Sequence, residues 1–204
     1  MSQYLIINLC GGLGNQLFML FAGISNALDN NKSFFIYTEK NERKFYFNDF
    51  LKNLHHNVIN YNNISIPTIQ YPYIEQEFIY KPIPNNTDYI KGYFQSYKYF
   101  HHNYNQINKL LNLNSYLNNP KYLLDFSYIS IHFRLGDYIN LPDYHNVLHV
   151  NYYINALKNL KDKIGDDIYN HKILIFGEKS NDDIINTYIQ QLDNKLSFIK
   201  ILIC

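Results

Sequence analysis

Three short segments of the sequence combine residue types that bind anions or activate hydroxyl groups. They are Gly11-Gly-Leu-Gly-Asn-Gln-Leu-Phe18, His132-Phe-Arg-Leu-Gly-Asp-Tyr138 and the loop from Phe176 to Asp183. Each follows an apolar run that predicts a buried strand. Ligands of open α/β sheets bind where such strands end, so all three segments are candidates for a site.

The first segment is a glycine-rich turn between a predicted strand and a predicted helix. Glycines let the backbone approach a ligand, and the helix N-terminus favours an anion, so Gly12, Gly14, Asn15 and Gln16 are candidates. The dinucleotide fingerprint fails, because Leu17 stands where its last glycine belongs, and no Gly-Lys-Ser/Thr follows for a P-loop. The alternative is a structural turn with Asn15 as helix N-cap, which the pattern supports at least as well.

The second segment offers a cation at the end of a predicted strand. Arg134 can clamp a phosphate with two hydrogen bonds, and Gly136 allows close backbone approach. Asp137 could orient Arg134, bind a hydroxyl or act as a base. The alternatives are a surface ion pair between Arg134 and Asp137, and a capping or core role for His132. The chain has one other arginine, Arg43, and this rarity favours a site.

The third segment is another strand-end loop. Glu178 or Ser180 could contact a nucleotide there. The simpler interpretation, a turn in which Ser180 or Asn181 caps the next helix, is favoured by the pattern alone.

The histidines do not predict a metal site. His55-His56 and His101-His102 are adjacent pairs whose side chains diverge, and His145 and His149 fall in a predicted loop, where solvated or capping roles are favoured. Three tyrosines could line a sugar pocket, but nothing in the sequence singles them out: Tyr93, Tyr97 and Tyr99.

The elements that position these segments predict an α/β protein. The chain opens with strand, glycine turn, helix and strand, which is the start of a parallel unit. Residues 40–84 are rich in Asn and aromatic residues and predict irregular structure with short helices. A domain boundary is expected at Pro120, dividing the chain into 1–120 and 121–204. The predicted strands are 4–9, 33–37, 89–94, 127–133, 172–176 and 196–203, and the predicted helices are 15–28, 95–101, 103–117, 151–164 and 182–192.

Composition excludes several classes of protein. With 47% hydrophobic residues among 204, the chain can bury a core, which excludes wholesale disorder. Its 18 Lys and Arg nearly balance 17 Asp and Glu, which argues against a dedicated nucleic-acid binder. Cys10 and Cys204 are too few for a disulfide framework and favour a reducing compartment. No segment predicts a signal peptide or a membrane span, so a cytoplasmic protein is expected.

Taken together, these motifs resemble one family. The Gly11–Phe18 segment, Gly92-Tyr-Phe-Gln-Ser-Tyr97 and His132–Tyr138 are similar in sequence and order to the α-1,2-fucosyltransferases of glycosyltransferase family 11. Tyr152-Tyr153 and the Phe176 loop follow in the order expected, and the resemblance covers essentially the whole chain.

The resemblance implies a GT-B-like fold of two Rossmann-like domains, with 1–120 on the acceptor side and 121–204 binding the GDP-sugar. It implies transfer of L-fucose from GDP-fucose to the 2-hydroxyl of a galactose-terminated glycan, with inversion and without a metal or other cofactor. The implied donor-binding residues are Gly12, Gly14, Asn15, Gln16, His132, Arg134, Gly136 and Glu178, and the implied catalytic residues are Arg134 and Asp137.

Two departures from the family pattern affect these expectations. Many relatives have a second arginine where this chain has Leu135, so one cation must serve the pyrophosphate. Relatives also continue into an Asn-Ser-Ser-Phe-Ser segment and a tryptophan, and this chain has no Trp, so the C-terminal domain is expected to be incomplete. The alternatives are an inactive family member that retains nucleotide or glycan binding, and an enzyme that uses another nucleotide sugar such as GDP-mannose.

Overall fold

A computed structural model describes residues 3–38, 44–59, 68–117, 127–143, 145–196 and 201–202. The chain divides into two compact units, Met1–Tyr122 and Leu123–Cys204. Each unit is built around a parallel sheet, so the protein is mixed α/β, as the alternating strand and helix patterns predict. The functional roles expected for the two halves remain predictions.

The first unit holds a five-stranded parallel sheet of order β3-β2-β1-β5-β4. In this sheet β1 occupies the centre, with β2 on one side and β5 on the other. The strands are β1 (Tyr4–Leu9), β2 (Ser33–Thr38), β3 (Val58–Ile59), β4 (Pro72–Ile74) and β5 (Tyr89–Lys91). The helices are α1 (Leu13–Asp29), α2 (Tyr104–Leu111) and α3 (Leu113–Leu117), with 3₁₀ turns at Lys52–Asn57, Tyr97–Tyr99 and His101–Asn103.

The apolar composition of β1 explains its central place. Five of its six residues are buried, as expected for a strand covered on both faces. Helix α1 packs closely on the sheet, because a Cβ added to Gly23 would collide with the side chains of Ile7 and Ile90. Glycine at this helix position therefore brings the backbone of α1 against the central strands.

Three predicted elements of the first unit are shorter or more broken than expected. The strand predicted to reach Phe94 ends at Lys91, because Gly92 and Phe94 take positive φ angles of 148° and 49°. The helix expected from Gln95 is instead a pair of 3₁₀ turns. Asn112 has a φ of 54° in the left-handed region, which divides the expected helix over 103–117 into α2 and α3.

The second unit holds a parallel sheet of order β6-β7-β8. Its strands are β6 (Tyr128–His132), β7 (Lys172–Phe176) and β8 (Ile201–Leu202), and its helices are α4 (Gly136–Ile139), α5 (Val150–Ile164) and α6 (Asp182–Lys195). The described part of this unit also has 3₁₀ turns at Gly165–Asn170 and Lys179–Asn181. Helix α4 falls within residues 135–150, which the sequence predicts to be a loop. Of the strand predicted over 196–203, Ile201–Leu202 is observed as β8 and Leu196 is instead the C-cap residue of α6, while residues 197–200 and 203 lie outside the described ranges.

The core of the second unit forms around Phe133, which is fully buried. The rings of Tyr153 on α5 and Tyr188 on α6 meet it edge-on, with centroids 4.8 and 5.4 Å away. Buried aliphatic residues of the two helices, including Ile154, Leu157, Ile185 and Ile189, complete this core. The packing of Phe133 thereby fixes the chain between the end of β6 and Arg134. Across the described ranges, no helix is both long and apolar enough to cross a membrane.

Candidate functional site

Arg134 lies at the carboxyl end of β6, beside the end of β7. The backbone N–H of Phe133 donates to the carbonyl oxygen of Phe176 at 2.8 Å, so the two parallel strands end side by side. Since Phe133 is buried between helices, the next residue leaves the sheet at its carboxyl edge. The sequence placed the end of β7 correctly and the end of β6 within one residue, and the parallel pairing brings the two ends together.

The guanidinium of Arg134 is held by a carboxylate and an aromatic ring. Its Nη1 donates to Oε1 of Glu178 at 3.1 Å, and its Cζ lies 4.9 Å from the ring centroid of Tyr138. The two charged side chains are 41% and 45% exposed, so their ion pair is worth at most about 1 kcal/mol. An anion that pairs better with Arg134 can therefore displace Glu178 at small cost.

Gly136 belongs to the same arrangement. Its φ of 24° is positive, and a Cβ at this position would collide with the carboxylate of Glu178. Glycine thus permits Glu178 to lie against the backbone at the start of α4. The backbone of Asp137 lies in α4, but its side chain is outside the described part of the structure, so its expected roles as base and as partner of Arg134 remain predictions.

A cavity of about 300 Å³ lies next to this cluster, and Tyr138 lines it. The ring of His145 stacks on that of Tyr138, with centroids 4.0 Å apart and planes 7° apart, and His145 lines the cavity as well. Leu135, Ile184 and Tyr188 contribute apolar surface to the same cavity. Tyr138 therefore contacts the guanidinium of Arg134 and also lines the cavity. The sequence patterns predicted no role in a site for Tyr138 or His145.

The other residues expected in the second unit lie around this cluster. The side chain of His132 is exposed, which excludes the core interpretation, and its backbone carbonyl accepts from the hydroxyl of Tyr153 at 3.2 Å. Asn181 stands at the N-cap position of α6, but its side chain makes no capping hydrogen bond and donates instead to Ser180 Oγ at 3.2 Å. Direct contact of His132 with a donor remains a prediction.

The glycine-rich turn of the first unit has a geometry different from the expected one. Gly12, not Asn15, is the N-cap of α1, so the helix begins at Leu13 and includes Asn15 in its first turn. The Oδ1 of Asn15 accepts from Nε2 of Gln95 at 2.8 Å and makes no cap. Gly11 has a φ of 73°, and a Cβ there would press on the Asn15 amide, so this glycine makes the turn possible.

The remaining candidates of this turn differ in accessibility. The side chain of Gln16 is fully buried, and its Nε2 donates to the carbonyl oxygens of Gly11 at 2.9 Å and Lys44 at 3.0 Å. The two hydrogen bonds of Gln16 therefore fix the glycine-rich turn from its buried side. Gly12 and Gly14 are exposed, with open space where a Cβ would stand, and they leave room for a ligand to reach the backbone.

Neither metal ligation nor a nucleophile relay is evident in the described ranges. No group of three His, Cys, Asp or Glu side chains there could hold a metal ion. His149 caps α5 by accepting from the N–H of Asn151 at 3.3 Å, which confirms a capping role. His102 contacts both Asp29 at 2.9 Å and Ser25 at 3.4 Å through the same Nε2, so it cannot relay a proton between them.

Comparisons of the chain with family models, with curated proteins and with solved structures found no match. The resemblance to the α-1,2-fucosyltransferases therefore rests on the motifs and their order.

Proposed function

We propose that the chain is a GT-B glycosyltransferase that transfers L-fucose from GDP-fucose to the 2-hydroxyl of a galactoside. The observation that carries the proposal is Arg134, oriented at the carboxyl end of a parallel sheet by Glu178 and Tyr138. This is the edge at which α/β sheets bind their ligands, and the residue lies within the motif that resembles the family.

The chemistry of the proposed reaction suits a single cation. The bond between C1 of fucose and the β-phosphate oxygen breaks, GDP leaves with the electron pair, and the galactose 2-oxygen attacks C1 from the opposite face. Arg134 stabilises the charge that develops on the β-phosphate. The proton of the attacking hydroxyl passes to a base, for which Asp137 is the candidate.

The cavity beside Tyr138 supports the nucleotide part of this proposal. Small-molecule sites are concave, mainly apolar and at least about 300 Å³ in volume, and this cavity is of that size. The guanine of a nucleotide could occupy the cavity while its diphosphate binds Arg134. One ligand could reach both, because Tyr138 contacts Arg134 and also lines the cavity. Neither Arg134 nor the cavity would distinguish the sugar of one GDP-sugar from that of another, so GDP-mannose is a necessary competitor in the experiment.

The test is calorimetric titration of the 204-residue chain with GDP and GDP-fucose, with UDP as the control nucleotide. Selective binding of GDP is expected. Arg134→Lys should weaken it at least tenfold, because a lysine keeps the charge but loses the planar fork. Lys158→Ala removes an exposed cation on α5 of the same unit and should leave binding unchanged.

Wild-type affinity for GDP in Arg134→Lys would remove Arg134 from the site. Transfer of radiolabelled fucose to lactose then separates the enzyme from a protein that only binds nucleotide. Binding of GDP without transfer or donor hydrolysis would favour the non-catalytic alternative, and preferred use of GDP-mannose would change the assigned donor.

A further inference from the structure

The segment Gly92-Tyr-Phe-Gln-Ser-Tyr97 has no role in the site described above, although its sequence contributes to the family resemblance. It directly follows β5, which pairs in parallel with the central strand β1, so both strands end at the same edge of the sheet. The order of strands reverses between β1 and β5, and in open α/β sheets ligands bind in the crevice at such a reversal. The segment therefore lies beside the glycine-rich turn that follows β1.

The backbone of this segment is strained. Gly92 has a φ of 148°, and Phe94 has a φ of 49° in the left-handed region, which an aromatic residue rarely adopts. The Phe94 ring is fully buried, stacked on Tyr73 with centroids 6.2 Å apart and meeting Tyr99 edge-on at 5.4 Å. A residue in such a conformation is kept there only by the contacts around it, and strain of this kind is typical of functional loops.

The carboxylate of Glu75 holds this backbone in place. Its Oε2 accepts the backbone N–H groups of Tyr93 at 2.7 Å and of Phe94 at 2.9 Å. Glu75 directly follows β4, the neighbour of β5, and its own N–H donates to the carbonyl oxygen of Lys91 at 2.9 Å. A Cβ at Gly92 would collide with the Glu75 side chain, so glycine there lets the carboxylate reach both N–H groups. Hydrogen bonds to a carboxylate are among the stronger ones, and these two fix the turn at Phe94.

The strained turn carries Gln95 to the glycine-rich turn. The N–H of Ser96 donates to the carbonyl oxygen of Phe94 at 2.7 Å, which closes a tight turn around Gln95. The exposed side chain of Gln95 then reaches Asn15 in the first turn of α1, where its Nε2 donates to Oδ1 at 2.8 Å. The two residues are 80 positions apart in the sequence, so their contact depends on how the loop after β5 is held.

The hydrogen bond from Gln95 determines which way the Asn15 amide faces. Because Oδ1 accepts from Gln95, Nδ2 lies on the side of Gly11, 3.0 Å from the place that a Cβ there would take. The N–H groups of Asn15 thus lie beside the glycine-rich turn, where Gly12 and Gly14 leave the backbone open. An N–H donor at this place suits an anionic ligand such as a diphosphate, whereas an amide oxygen would repel it.

We propose that Glu75 and Gln95 are positioning residues for Asn15. Glu75 fixes the strained turn, the turn places Gln95, and Gln95 holds the Asn15 amide with its N–H groups toward the ligand. That this ligand is the diphosphate of GDP-fucose rests on the proposed function. In this arrangement both residues act on donor binding through Asn15.

The first experiment inverts the Asn15 amide with Gln95→Glu. A carboxylate accepts hydrogen bonds only, so Asn15 has to turn its N–H groups toward residue 95 and its oxygen toward the ligand. We expect GDP binding in calorimetry to weaken, and the KM for GDP-fucose in transfer to lactose to rise, each at least tenfold, with an unchanged KM for lactose. Gln106→Glu makes the same exchange at an exposed position on α2, away from Asn15, and should leave GDP binding unchanged.

The added charge of Gln95→Glu is separated from the amide inversion by a double-mutant cycle with Asn15→Ala. Without the Asn15 amide there is nothing to invert, so Gln95→Glu should weaken GDP binding less than twofold in the Asn15→Ala background. An equal loss in both backgrounds would show that charge alone is responsible, and it would overturn the positioning role of Gln95.

Two substitutions of Glu75 test the earlier step. In Glu75→Gln the amide oxygen can still accept from the N–H groups of Tyr93 and Phe94, so the affinity for GDP should stay within twofold of the wild type. Glu75→Ala removes this acceptor and should weaken GDP binding at least fivefold. Adding Gln95→Ala should then weaken it less than twofold more, because Glu75 acts through Gln95. Full affinity in Glu75→Ala, or losses that simply add, would overturn the role of Glu75.

The two proposals fail separately. The side-chain amide signals of Asn15 in NMR spectra report its hydrogen bond from Gln95 without any ligand, and they should shift in Gln95→Glu and Glu75→Ala but not in Gln106→Glu. If they shift but the wild-type chain does not bind GDP, the proposed function and the role of Asn15 toward a diphosphate are both overturned, while the link from Glu75 to Asn15 stands. Unchanged GDP affinity in Gln95→Glu would overturn the positioning and leave the proposed function standing.

Discussion

Arg134 is held by a carboxylate that the diphosphate of the proposed donor would have to replace. The Glu178 carboxylate occupies one N–H group of the guanidinium and lies against Gly136. It is itself an anion at the place where the phosphates of the proposed donor would bind. Its direct contact with the donor, expected from sequence, therefore requires that it move from Arg134 first.

The variant Glu178→Gln tests this competition. Removing the charge should tighten GDP binding by up to about fivefold, because the exposed ion pair that GDP displaces is worth at most about 1 kcal/mol. The free energy of unfolding should change by less than that amount. Calorimetry and urea unfolding measure the two effects, and weaker GDP binding would instead assign Glu178 a direct contact with the donor.

Gly136 should tolerate a side chain poorly. Alanine there combines backbone strain from a φ of 24° with a collision against the carboxylate of Glu178. Because that carboxylate is the end of a flexible, half-exposed side chain that can move aside, we expect a loss of about 1–2 kcal/mol in unfolding free energy. Gly165→Ala is the control, since that glycine has a φ of 60° but open space around it. It should lose about 1 kcal/mol. Equal losses in urea unfolding would show that the contact with Glu178 contributes nothing.

Helix α1 contains two glycines whose surroundings are opposite. Gly14 lies in its exposed first turn with no atom within 4 Å of an added Cβ, whereas Gly23 faces the buried Ile7 and Ile90. Gly14→Ala should stabilise the protein by about 0.5 kcal/mol through helix propensity. Gly23→Ala should destabilise it by about 1–3 kcal/mol through overpacking. Thermal unfolding of the two variants should move in opposite directions, and a shared direction would contradict this packing.

The elements predicted from sequence are those with strong local patterns. The long apolar runs and helical periodicities correctly indicated β1, α1, β2, β6, α5, β7 and α6. The strands β3 and β4 have two and three residues, which is too short for any periodicity to show. Their place depends on pairing with β2 and β5, which is a property of the tertiary structure.

The candidate site was predictable to the same degree. Sequence placed Arg134 and Glu178 at the ends of two strands, but only the order of the strands shows that they meet. Tyr138 and His145 were missed, because no spacing distinguishes them from the other tyrosines and histidines of the chain. Their significance comes from the stacking of their rings and from the contact of Tyr138 with Arg134, which the sequence does not reveal.

At the scale of the whole molecule, buried tyrosines should limit alkaline stability. Burial raises the pKa of Tyr73 and Tyr99 in the first unit and of Tyr153 in the second. Above about pH 10 the unfolded chain therefore loses these protons before the folded chain does. The folded state then binds more protons, so the unfolding free energy must fall as the pH rises through this range.

Lys32 acts in the opposite direction. Its Nζ donates to two backbone carbonyls, and burial lowers its pKa although nearby Asp88 raises it. The unfolded chain holds the extra proton just below about pH 10.5, so this one group favours folding as the pH rises there. Because the raised pKa values of three tyrosines oppose the lowered pKa of this one lysine, we expect the unfolding free energy of both units to fall at alkaline pH.

Urea unfolding at pH 8 and above pH 10 measures the net effect. Tyr153→Phe removes one ionisable group and should make the pH dependence shallower, at the cost of the hydrogen bond to the His132 carbonyl at neutral pH. Tyr169→Phe, at an exposed position elsewhere in the same unit, is the control and should leave the dependence unchanged. A pH dependence in Tyr153→Phe that equals the wild type would contradict the contribution of this burial.

The parallel pairing of the described strands also determines the order in which the chain can fold. Ile6 in β1 pairs with Phe35 on one side and with Tyr89 on the other, so neither partner is available through a local hairpin. During synthesis the central strand leaves the ribosome long before β5 exists. Until the chain has been synthesised as far as Lys91, the apolar residues of β1 are exposed or contact only α1 and β2. Sheets closed by such distant contacts fold slowly, which leaves apolar surface of the first unit exposed to other chains in the meantime.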